Sequence, residues 1–321
     1  MKTFHHLEDI PGDFGPTIVS VGNFDGLHRA HARVLGEIAG RARARGAKSV
    51  AVTFEPHPMR ILRPDAGLKL LTPTPEKIRL LQRTEIDAVL LLPFTRDLSI
   101  MSPREFVQHA LCGVLKTLEV HEGYNFHFGH KAAGDVKLLT ELGHEFGFEL
   151  VVYPEMRIRG ESVSSSRIRE LIQRGEVERT RVLLGRPFSI ASTPGRGRGY
   201  GAKYTVPTIN LSKYDELVPK DGVYITRTGV GEECFDSVTN IGNRPTFGVE
   251  SFAIETHLLD FHPVDLMADT SVEICFLSRL RDEIKFPSVD ALRQQIAKDI
   301  RKTRHYFGLL KHAPSKSTSA G

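Results

Sequence analysis

Short apolar runs recur through the first half of the chain, each followed by a stretch with helical spacing. Thr17-Ile18-Val19-Ser20-Val21 leads through a glycine-rich turn into a helical pattern from about His28. Ser49 to Phe54, Ala88 to Leu92, Leu118 to Val120 and Glu149 to Tyr153 complete about five strands. Ser102-Pro103-Arg104-Glu105 reads as a capping box with proline at the first helical position. Strands this continuously apolar, separated by helices, imply a parallel sheet covered on both faces, an α/β fold. Such sheets bind ligands beyond the carboxyl ends of their strands.

Around Gly185-Arg186-Pro187 the pattern changes to short β-branched and aromatic runs punctuated by glycine and proline. Gly222 to Thr226, Phe235 to Thr239 and Ser271 to Phe276 are examples, the last alternating as a half-buried strand does. This half predicts an antiparallel β-barrel. A closing helix is expected from Ser288, its cap, to about Tyr306. The expected organisation is a domain over 1–184, a second over 185–312, and a disordered tail over 313–321.

The composition is that of a folded protein: 321 residues, 40% hydrophobic and 26% charged, too apolar for intrinsic disorder. The net charge of +4 fits small anionic substrates and does not call for nucleic acid. Arg41, Arg43 and Arg45 read as a solvated helix end. Cys112, Cys234 and Cys275 are far apart, without metal spacing, and are expected as buried free thiols. The start lacks the apolar core of a signal peptide, and the longest apolar run, Ala88 to Leu92, is too short to span a bilayer. The expected location is the cytoplasm, without membrane partner. Oligomeric state stays open between monomer and weak homo-oligomer.

Two segments carry phosphate-binding chemistry in the first half. Gly22-Asn23-Phe24-Asp25-Gly26 follows a strand and opens a helix, where unpaired N–H groups attract phosphate. His28 and His31, three apart, share one helical face and can donate to phosphate oxygens. A lone His-x-x-His is more commonly a surface or partly buried pair; the strand–glycine–helix context favours the ligand role. Zinc is a weaker rival, since no third ligand is evident. Ser164, Ser165 and Ser166, with Arg169 one turn on, form a second anion cradle or, more plainly, a serine cap.

In the second half, Gly195, Gly197, Gly199 and Gly201 interleave with arginine, and Lys203 follows. Such a loop wraps backbone N–H groups around phosphate, or is a solvated hairpin. Thr208 and Asn210 are two apart, so on a strand they share a face and offer neutral oxygens suited to magnesium.

Gly22 to His31 resembles the His-x-Gly-His motif of nucleotidylyltransferases, and Ser164 to Arg169 their Ser-Ser-Thr-x-x-Arg motif. Thr53 to Pro58, Leu71 to Pro73 and Gly123 to Gly129 narrow the likeness to the bifunctional bacterial FAD synthetases. Pro207 to Asn210 resembles the Pro-Thr-Ala-Asn motif of riboflavin kinases, and Asn240 to Phe247 and Ile254 to Phe261 match further segments.

The resemblance implies a Rossmann-like adenylyltransferase domain followed by a riboflavin kinase barrel. His28 and His31 would stabilise phosphates. Ser164, Ser165 and Arg169 would hold the triphosphate of ATP, with His57 and Asn125 near the flavin. Glu255 would be the general base that deprotonates riboflavin. The implied reactions make FMN from riboflavin and then FAD from FMN, with ATP and Mg2+. Ala30 stands where the family has glycine, and Ser166 where it has threonine. Ala202 and Thr205 replace an arginine and a glycine of the kinase loop, which leaves open an adenylyltransferase whose barrel only binds flavin. A flavin-sensing module without catalysis is a third reading.

Overall fold

The computed structural model describes residues 1–195, 208–246, 249–262, 267 and 269–312. By packing, the chain divides between Ile168 and Arg169. A helix over Val177–Leu184 buries Val177, Thr180, Leu183 and Leu184 and lies on strands Phe188–Ser192 and Val272–Arg281 of the second unit. An apolar helical stripe predicts burial, but not which sheet it covers.

The first unit is a six-stranded sheet. Its strands are β1 (Lys2–Phe4), β2 (Thr17–Val21), β3 (Lys48–Glu55), β4 (Ala88–Pro93), β5 (Thr117–Gly123) and β6 (Glu149–Tyr153). The order is β1-β4-β3-β2-β5-β6 with every pairing parallel. All residues of β2 are buried, as a central strand covered on both faces requires. The three-residue β1 escapes a periodicity reading because it is too short to show one. Helix α1 (Arg29–Arg45) packs on β2 and β3 through Leu35, Ile38, Ala39 and Ala42, an i, i+3, i+4, i+7 stripe. The capping box at Ser102 and Glu105 is present.

Because β3 and β4 lie on one side of β2 while β5 and β6 lie on the other, the connections diverge between β2 and β5. The carboxyl ends of those two strands therefore border a crevice that no crossover covers.

In the second unit, Phe188–Ser192, Thr208–Asn210, Gly222–Val230, Glu233–Thr246, Val249–Leu258 and Val272–Arg281 form an antiparallel sheet. Its two edge strands meet. Pro194 bridges Leu211, the Ser192 and Ser212 hydroxyls are 2.8 Å apart, and Gly195 N donates to Asn210 O at 2.7 Å. The expected barrel is thus built by edge closure. Gly195 is required by that closure: a Cβ there would stand 2.7 Å from Leu211 O.

The closing helix runs Val289–His312, six residues past the expected end, and Ser288 Oγ accepts from Ala291 N as its cap. Phe307 packs with Ile225 and Leu277. The thiols differ from expectation: Cys112 and Cys275 are half-buried, and Cys234 is exposed. Cys234 pairs with Gly229 beside the exposed 231–232 turn. The segment 313–321 lies outside the described residues.

Candidate functional site

A cavity of about 1000 Å³ opens in the first unit at the crevice between β2 and β5. Gly22, Asn23 and Phe24 enter it from the end of β2, Gly123 from the end of β5 and Asn125 from just beyond it, and Ser164, Ser165 and Ser166 from the start of helix α2 (Ser165–Gln173). His28 and His31 face the same space. Arg169, one turn after Ser165, is half-buried and does not line it. Neither do Asp25, Gly26 and His57.

The turn after β2 is held from below. Asp25 is buried, and its carboxylate accepts from Leu71 N at 3.2 Å and Thr72 N at 3.0 Å. Gly26 N donates to Thr72 Oγ1 at 2.9 Å, and Gly26 adopts φ 85°, a left-handed conformation that glycine accepts without steric cost. Ser165 Oγ donates to Asp25 O at 2.8 Å, tying the serine loop to the glycine turn. Asp25, Gly26 and Leu71-Thr72-Pro73 thus shape the site rather than face it.

His28 caps α1: its Nδ1 accepts from His31 N at 3.4 Å. A neutral His28 accordingly carries its proton on Nε2. Burial, then the neighbouring His28 and Lys77, drive His31 well below the usual histidine range. Its Nδ1 is buried without a hydrogen-bond partner, an orphaned polar atom of the kind a ligand satisfies. His57 also caps a short helix, its Nδ1 accepting from Met59 N at 3.2 Å, while Pro58 and Met59 reach the cavity.

On the β3/β4 side the cavity is aromatic. Phe54 and Phe94 meet edge to face at 5.7 Å, and Phe126 and Phe128 stack at 5.3 Å. The loop after β5 reaches that side because His130 N donates to Met101 O at 2.8 Å. A planar apolar ring fits there.

Three features went unread in the sequence. Lys77, 1% exposed, sets its ammonium 3.5 Å from Thr53 Oγ1, beneath the glycine turn. Burial lowers its pKa, opposed by Asp25 and Glu55. Glu122, on β5, is buried, accepts from Val21 N at 2.6 Å and lines the cavity. Arg41 and Arg45, expected as a solvated end, both pair with the buried Glu119. The available signal was three titratable side chains, Glu119, His121 and Glu122, within an otherwise apolar strand.

The second unit aligns its candidates across strands. Asn210 pairs with Glu255, and Glu255 with Asn240. Thr208 pairs with His257. Directly opposed residues hold their Cβ atoms about 4.5–5.5 Å apart on one face. Thr208, Asn210, Asn240 and Glu255 therefore form one partly exposed polar row. Gly195 adjoins Asn210 through its backbone. Gly197, Gly199, Gly201 and Lys203 lie outside the described residues, as do Ala202 and Thr205.

Residues 11–167 match the family model described as FAD synthetase, and residues 184–307 the one described as riboflavin kinase. A relative from Escherichia coli strain K12, named bifunctional riboflavin kinase/FMN adenylyltransferase, is 31% identical over 98% of this chain and 99% of its own. Relatives of the same name from Buchnera aphidicola and Bacillus subtilis strain 168 are each 30% identical over 97% of this chain, covering 99% and 100% of their own lengths. A Streptococcus pneumoniae crystal structure, described as a macrolide-efflux protein, superposes with a TM-score of 0.84 at 26% identity, over 94% of this chain and 98% of that one. Among the described residues, no helix is long and apolar enough to cross a membrane. With both models matched in order and full-length relatives at this identity, the chain belongs to the bifunctional riboflavin kinase/FMN adenylyltransferase family.

Proposed function

We propose that the barrel unit phosphorylates riboflavin to FMN and that the parallel-sheet unit transfers an adenylyl group from ATP to FMN, giving FAD and pyrophosphate. The observation that carries the reading is the cavity at the sheet's switch point. There, two imidazoles at the start of α1 and three serine hydroxyls line one space. The match over residues 184–307 favours two working halves over a silent, flavin-binding barrel.

The adenylyl step asks little proton chemistry. A phosphomonoester has its second pKa near about 6, so FMN presents a dianion at neutral pH. One of its oxygens attacks the α-phosphorus, and pyrophosphate departs. His28 donates from Nε2 and His31 supplies its unpartnered ring nitrogen, while the amino end of α1 and the serine loop hold the chain of phosphates. The aromatic bay beside β3 and β4 would take the isoalloxazine ring, with Asn125 at its edge.

The kinase step does need a base, because a ribityl hydroxyl is a neutral nucleophile. Glu255 takes that proton, the oxygen attacks the γ-phosphorus, and ADP leaves. Thr208 and Asn210 offer the hard, neutral oxygens that a magnesium ion prefers, and they would hold Mg2+ together with the nucleotide. When bound, the ion neutralises charge on the phosphate oxygens. Among the described residues no group of three or more His, Cys, Asp or Glu could hold a metal ion. The reading carries a cytoplasmic site of action and a monomer or weak homo-oligomer.

Chromatographic product analysis tests the proposal. Purified protein with ATP and magnesium should give FAD from FMN, and FMN followed by FAD from riboflavin. FAD from FMN with nothing from riboflavin would overturn the kinase half.

A further inference from the structure

Tyr153 ends β6 and forms part of the cavity wall. Its hydroxyl lies 2.8 Å from His121 Nδ1, and His121 Nε2 lies 2.9 Å from Glu119 Oε2. Glu119 is paired in turn with Arg41 and Arg45 of α1. His121 and Glu119 are fully buried. A wire of polar groups therefore runs from the arginine pair on α1 along one face of β5 to the cavity.

The proton on each link is fixed. Burial opposes charge on Glu119, but bonds from Arg41, Arg45 and His121 hold its pKa down to about 2, so it is a carboxylate and accepts only. His121 Nε2 must then carry hydrogen. Burial pushes His121 below the usual histidine range, so it is neutral and its Nδ1 is bare. A bare Nδ1 accepts, so the Tyr153 O–H donates to it. Burial, with Glu37 as a further cause, pushes Tyr153 up to about 12, so that proton stays in place. The Arg33 guanidinium, which also lines the cavity, lies 5.8 Å from the Tyr153 ring centroid and helps to fix the ring. With its one hydrogen committed inward, the phenol oxygen has only lone pairs to offer the cavity.

The sheet order says which ligand meets them. Tyr153 lies at β6, across the phosphate-binding turn of β2 from the aromatic bay at β3 and β4. With the flavin in that bay and phosphates at His28 and His31, the nucleotide's base falls toward β5 and β6. We propose that Tyr153 determines nucleotide specificity by accepting a hydrogen bond from the exocyclic amino group of a 6-aminopurine, thereby excluding 6-oxopurines. This deepens, and rests on, the adenylyltransferase reading. A 6-oxo group would set oxygen against oxygen, leaving two acceptors facing each other without a proton between them. His121 is the positioning residue that orients the phenol.

The test compares ATP with ITP, which carries the 6-oxo group, as co-substrate of FMN in the full-length protein. Wild type should favour ATP, and Tyr153→Phe should lower the ATP/ITP ratio of kcat/KM by about tenfold. The loss should fall on KM for ATP and leave KM for FMN unchanged. His121→Phe should lower the same ratio by raising the use of ITP, because the freed phenol O–H can then donate to a 6-oxo group; a merely structural role would not do this. If His121→Phe fails to fold, Tyr153→Phe, which removes one oxygen, decides alone. An unchanged ratio in Tyr153→Phe, with FAD still formed, overturns the proposal while sparing the adenylyltransferase reading. No FAD from wild type, FMN and ATP overturns both.

Discussion

The rings of His28 and His31 lie face on face, with centroids 3.6 Å apart and planes inclined by 15°. Two imidazolium ions would repel in that arrangement; His28 Nδ1 accepts a hydrogen bond and burial drives His31 well below the usual histidine range, so the stack is one of neutral imidazoles. Phe24 closes it from the side, edge to face with His31 at 5.2 Å. The buried ammonium of Lys77 adds positive potential without a second proton on either ring. The site meets polyphosphate with neutral donors backed by a fixed cation.

Replacing either histidine should therefore damage transfer to FMN and nothing else. His28→Ala and His31→Ala are each expected to lower FAD formation by about 10²–10³-fold, the usual cost of one aimed donor to a developing charge. FMN formation from riboflavin should persist. Assaying both products in one reaction separates the cases, and loss of both in a folded variant would refute separate sites.

The reciprocal change is Glu255→Gln. It keeps the side chain's size and its place opposite Asn210 and Asn240 but cannot take a proton. FMN formation should fall by about 10²–10⁴-fold, with FAD formation from supplied FMN untouched. A variant that still phosphorylates riboflavin at near wild-type rate would remove Glu255 from the base role.

The two halves differ in how much of this was legible. Apolar runs gave the parallel strands, because burial on both faces leaves an unmistakable pattern, and the strand–glycine–helix context placed His28 and His31. The pairing of Thr208 and Asn210 on one face followed from period-two geometry alone. Their alignment with Glu255, over forty residues away in sequence, is a matter of strand register, which no local spacing carries. Lys77 was illegible for another reason: a lysine on a helical pattern reads as solvated, and only the packing of its helix shows the ammonium buried. Asp25 sat inside a recognised motif, yet it proved to bind Leu71 and Thr72.

Glu122 makes stability depend on pH in an unusual direction. Burial raises its pKa well above the ordinary carboxylate value, opposed by the bond from Val21 N. Its folded value thus exceeds its unfolded one, so its stabilising contribution is full below about 4.5 and is lost as pH rises toward the folded value. Glu122→Gln, which cannot ionise, should leave stability near pH 4.5 little changed and raise it at neutral pH. Urea denaturation of the two proteins at both pH values measures this. Equal midpoints at neutral pH would refute a protonated Glu122.

Inside the barrel, five hydroxyls form a closed ring. Thr226 lies 2.8 Å from Ser237, Ser237 2.8 Å from Thr228, Thr228 3.0 Å from Thr256, Thr256 2.9 Å from Thr239, and Thr239 2.7 Å from Thr226. All five are fully buried. A hydroxyl has one hydrogen to give, so once Thr239 donates to Thr256 the direction of every other bond follows around the ring. Thr239→Val would break two bonds together, leaving the Thr226 O–H without an acceptor and Thr256 without its donor. The expected cost is about 1–3 kcal/mol, mostly the burial of unpaired groups. Adding Thr256→Val to Thr239→Val removes one of those stranded groups, so the double variant should lose less than the sum of the two single losses. Strictly additive losses in chemical denaturation would mean that the hydroxyls act independently. Thr256 faces the barrel interior while its neighbour Glu255 faces the polar row. The single variants should therefore lower the melting temperature and leave the rate of FMN formation at lower temperature within about twofold of wild type, since successive strand residues point to opposite faces of the sheet.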